Sequence, residues 1–157
     1  MKPLDPPPSE RAPWRVWSQW VSDLVQVLGT YELPLTREQL RQATSGLAQL
    51  EERLQWEQRR ATVSPVEGRR LLAGEAARMH WTHLLRTARC RLDECRLLLG
   101  TLVQRTRAAG TAPGAAQAGV AYPDRLRQRV RRALEQFQEQ LEQVASLEDE
   151  AGGTSPC

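Results

Sequence analysis

Apolar residues recur at alternating spacings of four and three along residues 81–102, where the sequence reads WTHLLRTARCRLDECRLLLGTL. The repeated positions are Trp81, Leu85, Ala88, Leu92, Cys95, Leu99 and Leu102. This spacing, sustained for about three heptads, predicts an amphipathic helix with one apolar stripe. Arginines and acids occupy the other face, so other helices must cover the stripe while water solvates the rest.

Two further amphipathic helices are predicted before this stretch. The first begins near Pro13, which suits a first-turn position, and ends at Gly29 and Pro34. Its apolar stripe consists of Trp14, Trp17, Val21, Leu24, Leu28 and Tyr31. The second begins at Thr36, because Thr36 and Gln39 form a capping box. Its apolar stripe consists of Leu40, Ala43, Leu47, Leu50 and Leu54.

A new helix-start signal interrupts the second helix at Ser64-Pro65, where an N-cap residue precedes a first-turn proline. We expect a turn or sharp kink there, followed by the third helix through to about Ala109. Gly68 and Gly74 weaken its first turns, so a later boundary near Ala73 is the alternative. Val and Ile are scarce and no alternating apolar run exists, so no sheet is predicted. The pattern predicts an all-α fold with an antiparallel three-helix bundle over residues 14–109.

The segments around the predicted bundle differ from it in composition. Residues 1–13 hold five prolines and are expected to be a disordered leader, and residues 110–123 are predicted to be a flexible linker. A fourth amphipathic helix is predicted over 124–148, with a disordered tail at 149–157. The fourth helix is basic in its first half and acidic in its second, which opposes its own dipole. Packing must therefore hold it, although we expect residues 14–109 to fold without it.

The three predicted helices resemble a spectrin repeat. The resemblance lies in WVSDLVQVL (20–28), REQLRQATSGLAQLEERL (37–54) and WTHLLRTARCRLDECRLLL (81–99). In the last segment, Trp81, Leu84, Arg89 and Leu92 are similar to the family's pattern of tryptophan, leucine, later arginine and leucine. The resemblance implies a cytoskeletal or scaffold role, as in spectrins, dystrophin-like proteins and nesprins.

Composition agrees with a helical protein of mildly basic charge. Hydrophobic residues make up 40% of the chain and charged residues 26%, and the formal net charge is +3. The N-terminus has no apolar segment typical of a signal peptide, and no apolar run is long enough to cross a bilayer. Three cysteines do not make a disulfide framework, so we expect a cytoplasmic protein. The resemblance to the spectrin repeat implies association with the cytoskeleton.

Histidine and cysteine residues crowd the third helix at His80, His83, Cys90 and Cys95. His83 and Cys90 lie seven residues apart, about 10 Å along a helix, which is too far for one metal ion. Cys–His catalysis fails on the same geometry. We therefore predict no catalytic residue, no metal and no cofactor, and expect packing to account for Cys95.

Tryptophans off the apolar stripes are candidates for contact with a partner. Trp17 and Trp81 lie on stripes and are predicted to be core, whereas Trp20 and Trp56 lie off them. An exposed tryptophan is a common anchor of an interface. The alternative for these two residues is packing beneath the leader or the fourth helix.

The fourth helix offers two further candidate surfaces. Its apolar residues Leu134, Phe137 and Leu141 would form an exposed stripe that docks onto another helical protein or a second copy of the chain. Arginines at 125–132 could instead bind nucleic acid or an anionic membrane surface: Arg125, Arg127, Arg129, Arg131 and Arg132. Since arginines two residues apart spread around a helix, a solvated face is favoured. We expect a non-enzymatic scaffold or adaptor, with anion binding as the alternative.

Overall fold

A computed structural model of the chain describes residues 4–9, 11–30, 35–63, 75–111 and 121–153. Within these ranges the structure contains helices and no strand, which confirms the predicted all-α class. The helices are α1 (Trp14–Gly29), α2 (Arg37–Val63), α3 (Glu75–Thr111) and α4 (Ala121–Gly153).

The starts of α1 and α2 follow the local signals in the sequence. Helix α1 begins directly after Pro13. At the start of α2 the Thr36 amide donates to Gln39 Oε1 at 3.0 Å, and the Gln39 amide donates to Thr36 Oγ1 at 3.1 Å. The predicted capping box is therefore confirmed. The turn at Ser64-Pro65 lies outside the described residues.

Helix α3 ends later than the sequence pattern predicted, and α4 begins earlier and ends later. Helix α3 continues to Thr111 and α4 begins at Ala121, so both ends of the predicted linker 110–123 are helical. The middle of that segment lies outside the described residues. Helix α4 also continues to Gly153, so the prediction of a tail from residue 149 is wrong as far as 153. The small residues at these ends do not stop helices that are held by packing elsewhere.

The four helices pack against one another, and α4 is part of that packing. Helix α4 contacts both α1 and α3, and α2 contacts α3. Contacts of Trp14 with Glu148 and of Leu28 with Arg127 show that α1 and α4 run in opposite directions. The buried apolar residues of all four helices form one continuous cluster. The fourth helix, which the sequence pattern joins to residues 14–109 through a predicted flexible linker, is therefore part of the same core.

The core includes most of the predicted apolar stripes. In α3 the stripe from Leu85 to Leu102 is buried as predicted, but Trp81 is only partly buried at the edge of the core. Trp81 therefore packs against the core but is not fully buried within it, as the prediction of a core residue required. Trp17 is fully buried as predicted.

The space between α1 and α2 is filled by tryptophan side chains. The rings of Trp17 and Trp20 pack edge to face, with centroids 5.9 Å apart. Trp20 lies against Gly46 of α2, where any side chain would overlap its ring. Arg53 of α2 stacks over the Trp14 ring, 4.7 Å from its centroid. Gly46 is therefore required by close packing.

The proline-rich leader is ordered in its described residues, 4–9 and 11–13, so the prediction of disorder is wrong there. Leu4 is only 4% exposed, and it joins the apolar core. The Asp5 carbonyl accepts a hydrogen bond from Trp20 Nε1 at 3.0 Å. The Ala12 carbonyl accepts another from Arg53 Nη1 at 2.9 Å. An extended segment without helical hydrogen bonds is thus held through its carbonyls and one apolar anchor.

Candidate functional site

The arginines of α4 do not act as one group, and Arg127 is buried with only 5% of its surface exposed. Its guanidinium donates to the carbonyl oxygens of Leu28 at 2.7 Å, Val27 at 2.9 Å and Thr30 at 2.7 Å. These carbonyls belong to the C-terminal end of α1, where helical partners are missing and the dipole is negative. Arg127 therefore caps α1, and its prediction as an anion-binding residue is wrong.

The acidic end of α4 stabilises the opposite end of α1. Glu148 accepts a hydrogen bond from the Trp14 amide at 3.1 Å, and Arg15 forms an ion pair with Asp149. Burial raises the pKa of Glu148, and the Trp14 amide and nearby Arg53 offset this only in part. The charge order that opposes the dipole of α4 is thus complementary to the dipole of the antiparallel α1.

The other arginines divide between a local pair and an exposed row. Arg131 pairs with Glu135 at 3.1 Å and its side chain lies against Gly29. The remaining three are exposed: Arg125, Arg129 and Arg132. Their spacing of four and three places them on one side of the helix, so the expectation that no basic row forms is wrong for these three. Arg127 could have been recognised as different, since it lies seven residues before the buried Leu134.

Most of the predicted partner-binding residues are buried within the chain itself. Leu134, Phe137 and Leu141 are fully buried, because α4 turns this side towards α1 and α3. Trp20 is 3% exposed and packs beneath the leader, which confirms the alternative for that residue. The expectation that these four side chains are available to a partner is wrong in this fold.

Trp56 remains an exposed aromatic residue on α2. It is 52% exposed and lies two residues, about 200° around the helix, from the buried Leu54. The Arg60 guanidinium stacks over its ring, 5.2 Å from the centroid. This contact orders the indole on the surface and leaves much of it in water.

Another exposed apolar position lies on α3. Leu97 is 73% exposed, the largest exposed fraction of any large apolar side chain in the described residues. It borders an open groove of about 350 Å³ between α2 and α3. Thr44 and Leu47 contribute to the groove from α2, and Gly100 contributes from α3. The sequence stripe gave no signal for Leu97, because a single leucine outside the repeat is common on helix surfaces.

The cysteine and histidine residues of α3 do not converge. Cys95 is fully buried, and this burial, with a smaller effect of Glu94, raises the pKa of its thiol to about 12. Cys90, His80 and His83 are exposed. Among the described residues there is no group of three or more His, Cys, Asp or Glu side chains placed to hold a metal ion. The Cys95 thiol is therefore an apolar packing group, as its position on the stripe predicted.

Comparisons of the chain with known protein families, with curated proteins and with solved structures found no match. In the described part of the chain, no helix combines the length and the apolar character needed to cross a bilayer.

Proposed function

We propose that the protein is a non-enzymatic helical scaffold or adaptor of the cytoplasm, associated with the cytoskeleton, that binds a helical partner through Trp56. The single observation that carries the proposal is the position of this indole, half in water on a helix whose leucines are buried. Tryptophan is over-represented among the residues that dominate binding energy in protein interfaces.

The surroundings of Trp56 support an anchor more than a packing residue. The ring is already held by Arg60, so less side-chain freedom is lost when a partner covers its exposed face. Glu52 lies one turn before it on α2 and Gln49 lies two turns before it, where they can form a polar rim. A partner helix could cover the indole while its polar residues contact this rim.

The spectrin-repeat class remains part of this proposal for α1, α2 and α3. Its support is the order of three connected helices, with α2 antiparallel to α3 through the contacts of Arg89 with Gln58 and of Arg96 with Glu51. In such a protein the helices form the scaffold and exposed residues select the partner. The fourth helix would then be an addition that completes the core.

Affinity purification of the full chain with Trp56→Ala tests the proposal. We expect the wild-type chain to retain helical cytoskeletal proteins that the variant loses, with both chains melting at similar temperatures because Trp56 is exposed. Met79→Ala is the matched control, since Met79 is an exposed apolar residue on a different helix. Identical sets of retained proteins for wild type and Trp56→Ala would refute the role of Trp56.

The row formed by Arg125, Arg129 and Arg132 supports a second candidate function, which is binding to nucleic acid or an anionic membrane surface. Three guanidinium groups on one side of α4 can contact successive phosphates. The triple change to glutamine should weaken binding to duplex RNA or to phosphatidylserine vesicles, and raised salt should weaken wild-type binding steeply. The control R11Q/R37Q/R86Q removes equal charge from exposed positions elsewhere. Equal binding by both triple variants would refute this candidate.

A further inference from the structure

The outward face of α3 carries a leucine beside a glycine. Leu97 lies about 200° around the helix from both Cys95 and Leu99, which are buried, so it is directed away from the core. Gly100 follows one turn later and is exposed, and a side chain added there would meet no atom within 4 Å. A projecting side chain and a bare stretch of backbone therefore lie side by side.

Within the described residues, neighbouring helices do not close over this face. The groove of about 350 Å³ between α2 and α3 opens beside Leu97 and Gly100. Arg96 reaches across to Glu51 of α2 and defines one side of the face. Arg91 reaches Gln136 of α4 and defines the other side. An approaching helix can thus reach the backbone of α3 at Gly100 without displacing a side chain.

Charges on the two sides of this face have a twofold pattern. On the side of α4, Glu94 precedes Gly100 and Arg105 follows it; on the side of α2, Asp93 precedes Gly100 and Arg107 follows it. All four residues are exposed. Each acid–arginine pair is centred within about half a residue of Gly100, as their numbers show. Antiparallel pairing of two α3 helices at Gly100 would therefore place each acid opposite an arginine of the other copy.

We propose that two copies of the chain associate through α3, antiparallel and crossing at Gly100. A twofold axis requires one surface to be complementary to itself. On this face Leu97 is the projecting side chain, and the backbone at Gly100 leaves the space that it needs. Leu97 of each copy packs on the bare backbone around Gly100 and Thr101 of the other. A parallel pairing is disfavoured because it brings like charges together. This surface is separate from Trp56, so the proposal goes beyond the function proposed above and does not depend on it.

Sedimentation equilibrium of the full chain over micromolar concentrations tests the proposal. We expect wild type to show a monomer–dimer equilibrium, with a dissociation constant raised at least about tenfold by Leu97→Glu or by Gly100→Leu. Both positions are exposed, so circular dichroism should show unchanged helix content. Met79→Glu is the matched control on the same helix and should dimerise as wild type does. A wild-type chain that stays monomeric, or a Leu97→Glu variant that dimerises normally, overturns the proposal.

A mixing experiment tests the antiparallel arrangement. The variant D93K/E94K makes the face basic, and the variant R105E/R107E makes it acidic, so each should repel itself and remain monomeric. An equimolar mixture should form a heterodimer, because every facing pair then has opposite charge. Thermal melting of each variant checks that its fold is retained. Failure of two folded variants to associate, while wild type dimerises, overturns the antiparallel pairing at Gly100.

Discussion

Replacing Arg127 by methionine should destabilise the protein strongly, although arginine is usually a surface residue. Methionine keeps the apolar stem of the side chain and removes the guanidinium that donates to three carbonyls of α1. A hydrogen bond to a charged group contributes about 1.5–3 kcal/mol, and acceptors left without a donor inside the protein add to the cost.

The three contributions do not simply add. The Val27 carbonyl also accepts from the Thr30 amide at 3.3 Å, so it keeps one partner in the variant. In the variant no guanidinium has to be removed from water on folding, so the desolvation cost of burying this charge is recovered in part. We therefore expect the free energy of unfolding to fall by about 3 kcal/mol, with a smaller loss for Arg127→Lys, whose ammonium group has fewer and less directed donors.

Urea denaturation followed by circular dichroism measures this change. Arg129→Met is the matched control, because Arg129 is exposed two residues away on the same helix and its loss should cost less than about 0.5 kcal/mol. The difference between the two variants should persist in high salt, since a buried charge is screened weakly. If Arg127→Met were as stable as Arg129→Met, the capping of α1 by Arg127 would be refuted.

Further substitutions test the packing and the buried ionisable groups. Gly46→Ala should lower the free energy of unfolding by about 1–3 kcal/mol or more in a thermal or urea melt, because its methyl group overlaps a tryptophan ring. Gly100→Ala at dilute concentration should raise the free energy of unfolding by up to about 1 kcal/mol. Equal effects of the two changes would contradict the packing at Gly46. Glu148 has a raised pKa in the fold, so the stability it contributes is fully present below its unfolded pKa and is lost as pH rises through the folded value. Glu148→Gln should therefore gain stability relative to wild type as pH rises above the usual carboxyl range, and a difference independent of pH would refute this. Peptide mapping after maleimide labelling should find Cys90 modified in the native protein and Cys95 unmodified until urea unfolds the chain; rapid native labelling of Cys95 would contradict its burial.

Local signals predicted the helices well, because each depends on residues a few positions apart. The stripe from Leu85 to Leu102 and the capping box at Thr36 both lie within single helices, and both are present in the structure. The ends of α3 and α4 were less predictable, since small residues weaken a helix by amounts that tertiary packing easily exceeds.

The partners of each apolar stripe could not be predicted from periodicity. A stripe such as that of Phe137 shows that one side of α4 is covered, but not whether the same chain or another covers it. Trp20 is buried although it lies off the stripe of α1, because α1 is covered from more than one direction, including by the leader at Asp5. The role of Arg127 could not be predicted for the same reason, because the carbonyls that it caps belong to α1, about 100 residues earlier in the chain.

The two ends of α1 are both held by α4, which is translated after the other three helices. Helix α1 has 16 residues, and a helix of this length is only marginally stable alone in water. Its first turn is hydrogen-bonded to Glu148, which lies 134 residues later in the chain. Its last turn is hydrogen-bonded to Arg127, which lies about 100 residues later. Helix α1 therefore completes its folding only after α4 has left the ribosome, and until then the tryptophans of α1 are available to chaperones. A ribosome stalled before α4 should hold an N-terminal segment that proteases cut readily.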